Sequence, residues 1–212
     1  KIKFFYRQMT ECFSEIFAQS QIDKNRIQQL AQREIKFIGN LKLSSINNHN
    51  DVLNHKLMKQ QKPSFMLAST HEDEEYKILP VIKKLLSEMK DLKIIIAPRH
   101  PERSDTILSL FEKNHLSVKI EDNQDNNQKD ILIVNSFGNL SKYFRQSDIV
   151  FLGGSFVVKG GHNPIEPAIN SCVIMTGPYI YNWQNIYDDM LKNKACLKFN
   201  NVSDLEKNLR NI

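Results

Sequence analysis

The chain is poor in cysteine and glycine and has no long apolar run. Its three cysteines, Cys12, Cys172 and Cys196, are an odd number, widely spaced, and form no C-x-x-C pair. That excludes a disulfide framework or a thiolate metal centre, and their apolar neighbours predict reduced core thiols in a cytosolic setting. Nothing approaches the roughly 18 consecutive apolar residues of a membrane-spanning helix. H-x-x-x-H or comparable ligand spacing is missing, so no metal is expected. Gly-Gly-Ser-Phe-Val lacks the second glycine of G-x-S-x-G, which argues against Ser155 as a nucleophile.

Charge is unevenly placed. The net charge is +5, yet residues 1–62 hold 11 Lys/Arg against 5 Asp/Glu, and the remainder is close to neutral. A basic segment beside a neutral domain suits an anionic surface, phospholipid or nucleic acid; the plain alternative is a solvated lysine-rich face. Nucleic-acid binding calls for exposed aromatics interleaved with the basic residues, which this segment barely has, so no nucleic-acid partner is expected.

The scarcity of glycine makes its clustering informative. Four of the seven glycines fall in Gly153-Gly154-Ser155-Phe156-Val157-Val158-Lys159-Gly160-Gly161-His162-Asn163-Pro164-Ile165-Glu166-Pro167-Ala168. This stretch follows an apolar run and leads into a helix start, so backbone N–H groups can approach a bound phosphate or sugar closely.

Short apolar runs at 35–38, 65–68, 94–97, 131–134, 149–152, 173–175 and 195–199 mostly lack polar alternation, as strands buried on both faces of a parallel sheet do. Helices are predicted between them at 72–89, 101–113, 140–145, 164–171, 183–192 and 203–209, and two more within 7–31. In 72–89 the spacing of Ile78, Leu79, Ile82, Leu85, Leu86 and Met89 is helical, with Ser69 or Thr70 as N-cap and acids in the first turn. The tracts 47–50 and 121–130 are polar, and the second reads as a mobile surface loop. The alternation predicts an α/β, Rossmann-like, doubly wound parallel sheet whose ligand sits where strands end and helices begin.

In such a sheet four polar clusters meet on one edge: Ser69-Thr70-His71, Pro98-Arg99-His100-Pro101-Glu102-Arg103, Ser136-Phe137-Gly138 and Gly153-Gly154-Ser155. Arg99 and Arg103 can present guanidinium groups to phosphate or carboxylate, or pair with Glu102 or Asp105 on the surface. His71, read as lying in a first helical turn, is expected to be neutral and able to hydrogen-bond a ligand, or to be a plain surface histidine. His162 and Asn163 precede a helix whose first turn holds Glu166, a carboxylate able to accept both hydroxyls of a ribose; the plain reading is a capped helix.

Taken in order, Asn40-Leu41-Lys42, Ser69-Thr70-His71-Glu72-Asp73-Glu74-Glu75, Ala97-Pro98-Arg99-His100-Pro101-Glu102-Arg103, Phe151-Leu152-Gly153-Gly154-Ser155, Gly160-Gly161-His162-Asn163-Pro164-Ile165-Glu166-Pro167-Ala168 and Gly177-Pro178 resemble the motifs of the 3-deoxy-D-manno-octulosonic acid (Kdo) transferases of lipid A synthesis. The resemblance implies a GT-B glycosyltransferase that moves Kdo from CMP-Kdo to a lipid A precursor, with inversion and without metal or cofactor, at the cytoplasmic face of the bacterial inner membrane. Residues 1–42 would end the acceptor domain and the interdomain connection, and 43–212 would form the CMP-sugar-binding domain. A glutamate base would lie in the N-terminal domain, outside this sequence, leaving no catalytic residue here. The chain itself would be a soluble piece of a longer protein that meets the membrane through its missing N-terminal part.

Position by position, the resemblance makes Arg99 a ligand of the donor's phosphate or carboxylate. Gly153, Gly154 and Ser155 would line the phosphate, and His162, Asn163 and Glu166 would hold the ribose or neighbouring groups. Ser69, Thr70 and His71 would face the cleft, and Lys159 would add positive charge. Two stretches depart from the family. Asn135-Ser136-Phe137-Gly138-Asn139-Leu140 stands for Asp-Thr-x-Gly-Glu-Leu, losing two carboxylates, and Asp73 replaces a glycine. Another GT-B enzyme acting on a UDP-sugar, or a noncatalytic nucleotide-sugar-binding homologue, is the alternative.

Overall fold

Apolar strands without alternation need cover on both faces, and the computed structural model shows how this chain supplies it. It describes residues 2–39, 41, 62–121, 129–136, 138 and 140–210, and the chain divides into two compact units, Lys1–Asn48 and His49–Ile212. The expected boundary at Lys42, the tract 47–50 and most of the loop 121–130 lie outside the described residues.

In the first unit, helices α1 (Ile2–Glu11) and α2 (Gln21–Ala31) flank two-residue strands β1 (Phe17–Ala18) and β2 (Lys36–Phe37), which pair in parallel. Ser20 caps α2 by accepting the Asp23 N–H at 3.0 Å, satisfying one of the helix's orphan donors. Arg33 donates to the Thr10, Phe13 and Ser14 carbonyls around the end of α1 at 2.6, 2.8 and 2.9 Å. Strand β1 carries no long apolar run and was not expected. Cys12 is exposed, unlike the buried Cys172 and Cys196, which corrects its reading as a core thiol: it lies in the turn that follows α1.

The second unit is a seven-stranded, all-parallel sheet of order β5-β6-β4-β3-β7-β8-β9. Its strands are β3 (Ser64–Thr70), β4 (Lys93–Pro98), β5 (Val118–Ile120), β6 (Ile131–Ile133), β7 (Ile149–Leu152), β8 (Val173–Thr176) and β9 (Cys196–Lys198). Helices α3 (Glu74–Glu88), α4 (Ser104–Glu112), α5 (Leu140–Gln146), α6 (Ile165–Ile169), α7 (Gln184–Lys192) and α8 (Val202–Arg210) connect or follow them. Alternate strand residues serve opposite faces. Phe65, Leu67, Ile94, Ile96 and Phe151 pack with Ile78 and Ile82 of α3, Phe111 of α4 and Leu205 of α8. Met66, Ala68, Ile95, Val150 and Leu152 pack with Tyr143 and Phe144 of α5 and Tyr187 of α7. The predicted doubly wound α/β sheet is therefore observed, with β5 as an additional edge strand.

From β3 the chain winds outward through β4 to the edge strand β5, inserts β6 between those two, then returns to place β7 on the other side of β3. The carboxyl ends of β3 and β7 thus flank a topological switch point, where connections diverge and open a crevice. At that point β3 is irregular: its register with β4 shifts between Ala68 and Thr70, and Ser69 takes a left-handed φ of 56°. Gly153, next to it, donates to the Ala68 carbonyl at 2.8 Å. A Cβ on Gly153 would lie 2.6 Å from Thr70 Cα and 2.7 Å from the Ser69 carbonyl carbon. Backbone atoms there cannot swing aside, so Gly153→Ala is expected to cost roughly 1–3 kcal/mol through overpacking. A lower urea midpoint with an unchanged m-value checks this.

Candidate functional site

The site is built on the ends of β3, β4 and β7, and its least expected member is Glu74. Sequence reading places acids 72–75 in a first helical turn, where they suit the dipole. Instead α3 begins at Glu74, and Glu74 and Glu75 are 0% and 2% exposed. One oxygen of Glu74 accepts the N–H groups of His71 and Gly154, both at 2.8 Å, and the other accepts the Phe156 N–H at 2.9 Å. A single carboxylate thereby ties the β3–α3 turn to the glycine loop after β7. Burial raises its pKa, opposed by these three N–H bonds and reinforced by the neighbouring Glu75 charge.

The second carboxylate holds the β4 turn. Glu75 receives both terminal nitrogens of Arg103 at 3.0 and 2.9 Å, and the Thr70 hydroxyl at 2.6 Å. Arg103 also reaches the Thr70 carbonyl at 3.3 Å. Its partner is neither Glu102 nor Asp105, and its fork is closed to a ligand. Arg99 has its N–H bound to the Thr70 carbonyl at 2.9 Å and its side chain exposed.

Several expected roles change with this geometry. Ser69 and Thr70 belong to β3 and do not cap α3; the N-cap is Asp73, at a left-handed φ of 72° and without a side-chain cap bond. Glycine enters that conformation without steric cost and aspartate with a modest one, which accounts for the exchange at this position. His71 precedes the helix, outside its first turn. Thr70 is 0% exposed and its hydroxyl is engaged by Glu75, so it does not face the cleft. Ser155 is likewise 0% exposed; its hydroxyl donates to the Leu152 carbonyl at 2.5 Å and accepts the Gly177 N–H at 2.8 Å. The N–H groups of Gly153 and Gly154 point inward to Ala68 and Glu74, leaving neither for a phosphate. Phe137 and Asn139 lie outside the described residues.

Side chains, not loop amides, supply the polar surface. The Nε2 atoms of His71 and His162 are 2.9 Å apart. Gly154 makes room for this pair: at φ 65° it would place a Cβ 3.2 Å from His162 and 3.3 Å from His71. The His100 ring stands edge-on to His71 at 5.9 Å. His71 is held below the usual histidine pKa by burial and by the positive fields of His100, Lys159, Arg99 and Arg103. His162 is lowered to about 4 by burial, then by His71, Arg99 and His100. Asn163 accepts the Ile165 N–H at 3.1 Å, and Glu166 is exposed on the first turn of α6. The result is a strand-end edge crowded with cationic and protonatable groups, suited to an anion.

Among the described residues no group of three or more His, Cys, Asp or Glu side chains could hold a metal ion, and no helix is long and apolar enough to cross a membrane.

Comparison with known proteins bears on what such an edge is for. Residues 1–45 match a family model described as 3-deoxy-D-manno-octulosonic-acid transferase (kdotransferase). The whole chain is 32% identical to the 3-deoxy-D-manno-octulosonic acid transferase of Rickettsia prowazekii (strain Madrid E), covering 47% of it. Across 96% of this chain it is also 32% identical to the transferase of that name from Haemophilus influenzae, covering 50% of it. This chain is similar to Kdo transferases along its whole length. The Kdo transferase fold agrees: the crystal structure of the C-terminal CMP-Kdo binding domain of WaaA from Acinetobacter baumannii matches with a TM-score of 0.63 and 25% identity, over 77% of this chain and 86% of that one. The sheet is thus that of a GT-B C-terminal domain, and the UDP-sugar alternative is not favoured. The chain spans about half the length of these two transferases.

Glu74 and Glu75 escaped sequence reasoning because a helix start explains acids without further help. The available signal was their number: four in succession exceed what capping and a dipole require.

Proposed function

We propose that this chain supplies the donor-binding half of a transferase that moves Kdo from CMP-Kdo to a lipid A precursor, with inversion. The observation that carries this reading is the meeting of Arg99, His71, His100, His162 and Lys159 at the switch point of a sheet that matches a CMP-Kdo binding domain. CMP-Kdo carries a phosphodiester and a sugar carboxylate, and the departing CMP gains negative charge. A cationic edge fixed in place before the reaction stabilises that charge without reorganisation.

In this reading Arg99 binds the donor phosphate or carboxylate, and His71, His162 and Lys159 complete the anion site. Glu166 and the Asn163 side-chain N–H groups take the ribose or its neighbours. Gly153, Gly154, Ser69, Thr70 and Ser155 shape the pocket from behind, through packing and internal hydrogen bonds. The base that deprotonates the acceptor hydroxyl lies outside this sequence, in the acceptor domain to which residues 1–42 contribute. A lipid acceptor puts the reaction at the cytoplasmic face of the inner membrane, and the basic excess of residues 1–62 fits an anionic surface.

Titration calorimetry with CMP and with UDP separates the donor classes. CMP is expected to bind at least about tenfold more tightly, a difference of roughly 1.4 kcal/mol. A preference for UDP would overturn the assignment.

A further inference from the structure

The contact between His71 and His162 is not a stack. Their ring planes are inclined by 1°, the ring centroids are 5.2 Å apart, and the two Nε2 atoms are 2.9 Å apart. A face-to-face stack would bring the centroids close and leave no single short nitrogen pair. The separations here are those of two coplanar rings meeting tip to tip, with one Nε2–H donating to the other ring's Nε2 lone pair. Each neutral imidazole carries one N–H, so the pair holds a single proton along its axis and keeps a free lone pair on the outer nitrogen of the donating ring.

We infer that this histidine pair is the proton carrier of the donor site: it takes up one proton from solvent as the anionic phosphate of a cytidine nucleotide binds, and becomes a hydrogen-bonded imidazolium–imidazole. The added proton enters at the free outer nitrogen of the donating ring. The N–H···N bond is kept and becomes charge-assisted, and no other bond breaks. A second proton would set two N–H groups against each other at 2.9 Å, so the pair titrates as a unit whose second step is strongly suppressed. The depressed proton affinity of both rings fits a pair that is neutral while the site is empty.

The groups around the pair fix the sign of the effect. Arg99, His100 and Arg103 come from the end of β4, and Lys159 comes from the glycine loop. All repel an added proton while the site is empty. Glu74 reaches the pair only through the His71 and Gly154 backbone N–H groups, and Glu75 is neutralised by Arg103. On the α7 side, Tyr187 donates to the His162 carbonyl at 3.0 Å and adds no charge. A phosphate at this edge offsets the cations and sets a negative charge against the added proton, countering the penalty that burial imposes. With donor bound, the protonated pair presents an extra positive charge where CMP departs.

This inference rests on the donor-site reading, and calorimetry of CMP binding in HEPES and in Tris, at about pH 7.5, distinguishes the two. The buffers differ in ionisation enthalpy, so the difference in observed heat counts protons. Wild type is expected to take up between about 0.3 and 1 proton per CMP, and a His71→Gln, His162→Gln double variant close to none. The variant also subtracts the nucleotide's own ionisation, since a phosphomonoester titrates near about pH 6. Arg99→Gln is expected to bind roughly tenfold more weakly while keeping the uptake. CMP binding by wild type without proton uptake, or uptake that persists in the double variant, refutes the pair's role and leaves the donor site standing. Absence of CMP binding refutes the donor site and this inference together.

Discussion

Glu74→Ala is expected to destabilise the His49–Ile212 unit by about 3 kcal/mol, because it strands three backbone N–H groups, one buried and two half-buried, at about 1 kcal/mol or more each. The carboxylate is the one acceptor shared by His71, Gly154 and Phe156, so removing it releases the glycine loop from the β3–α3 turn. For a domain of this size that corresponds to a fall of roughly 6–12 °C in Tm. Glu74→Gln keeps the shape and one acceptor oxygen but sets an NH₂ against a backbone N–H, and is expected to fall between wild type and alanine. Because Gly154 gives room to the histidine pair, CMP affinity should drop in both variants. Thermal melts followed by CMP titration of the folded fraction check the order. A Glu74→Ala protein as stable as wild type would show that water replaces the carboxylate at no cost.

Arg103→Ala is expected to cost about 3–5 kcal/mol, the usual penalty for leaving one member of a buried ion pair alone. Glu75 would remain inside with only the Thr70 hydroxyl against its charge. The paired change Arg103→Met with Glu75→Gln should recover much of that loss, since it removes both charges and keeps most of the volume. Denaturant unfolding of the single and double variants measures the coupling directly. Near-additive losses would mean that each side chain acts through packing alone.

These two expectations concern residues that the family motifs contain but that sequence reasoning misplaces. Period and spacing revealed the parallel sheet, because strands covered on both faces need unbroken apolar runs, and 65–68, 94–97 and 149–152 have them. The same reasoning located the strand ends, and so the meeting of Arg99, His71 and the glycine loop. Strand β5 escaped because Val118–Ile120 is a short edge strand interrupted by Lys119, too brief for a periodic signal.

What a side chain faces was beyond reach of a one-dimensional pattern. The resemblance places Thr70 and Ser155 against the donor, and the tertiary structure turns both hydroxyls inward to close hydrogen bonds with Glu75 and Gly177. Arg103 and Arg99 are four residues apart and chemically equivalent in sequence; only the position of α3, which brings Glu75 beneath β4, closes one and leaves the other exposed.

By itself the sequence determined the fold class, the edge of the sheet that carries the candidate site, and the resemblance to the Kdo transferases, since apolar periodicity and ordered motifs are properties of the chain read along its length. The tertiary structure alone decided which polar groups hold the site together and which are left to meet a ligand. That division depends on contacts between segments some 80 to 90 residues apart, Glu74 with Gly154 and His71 with His162. No local spacing encodes them, because a buried polar group chooses its partner by where the fold delivers it.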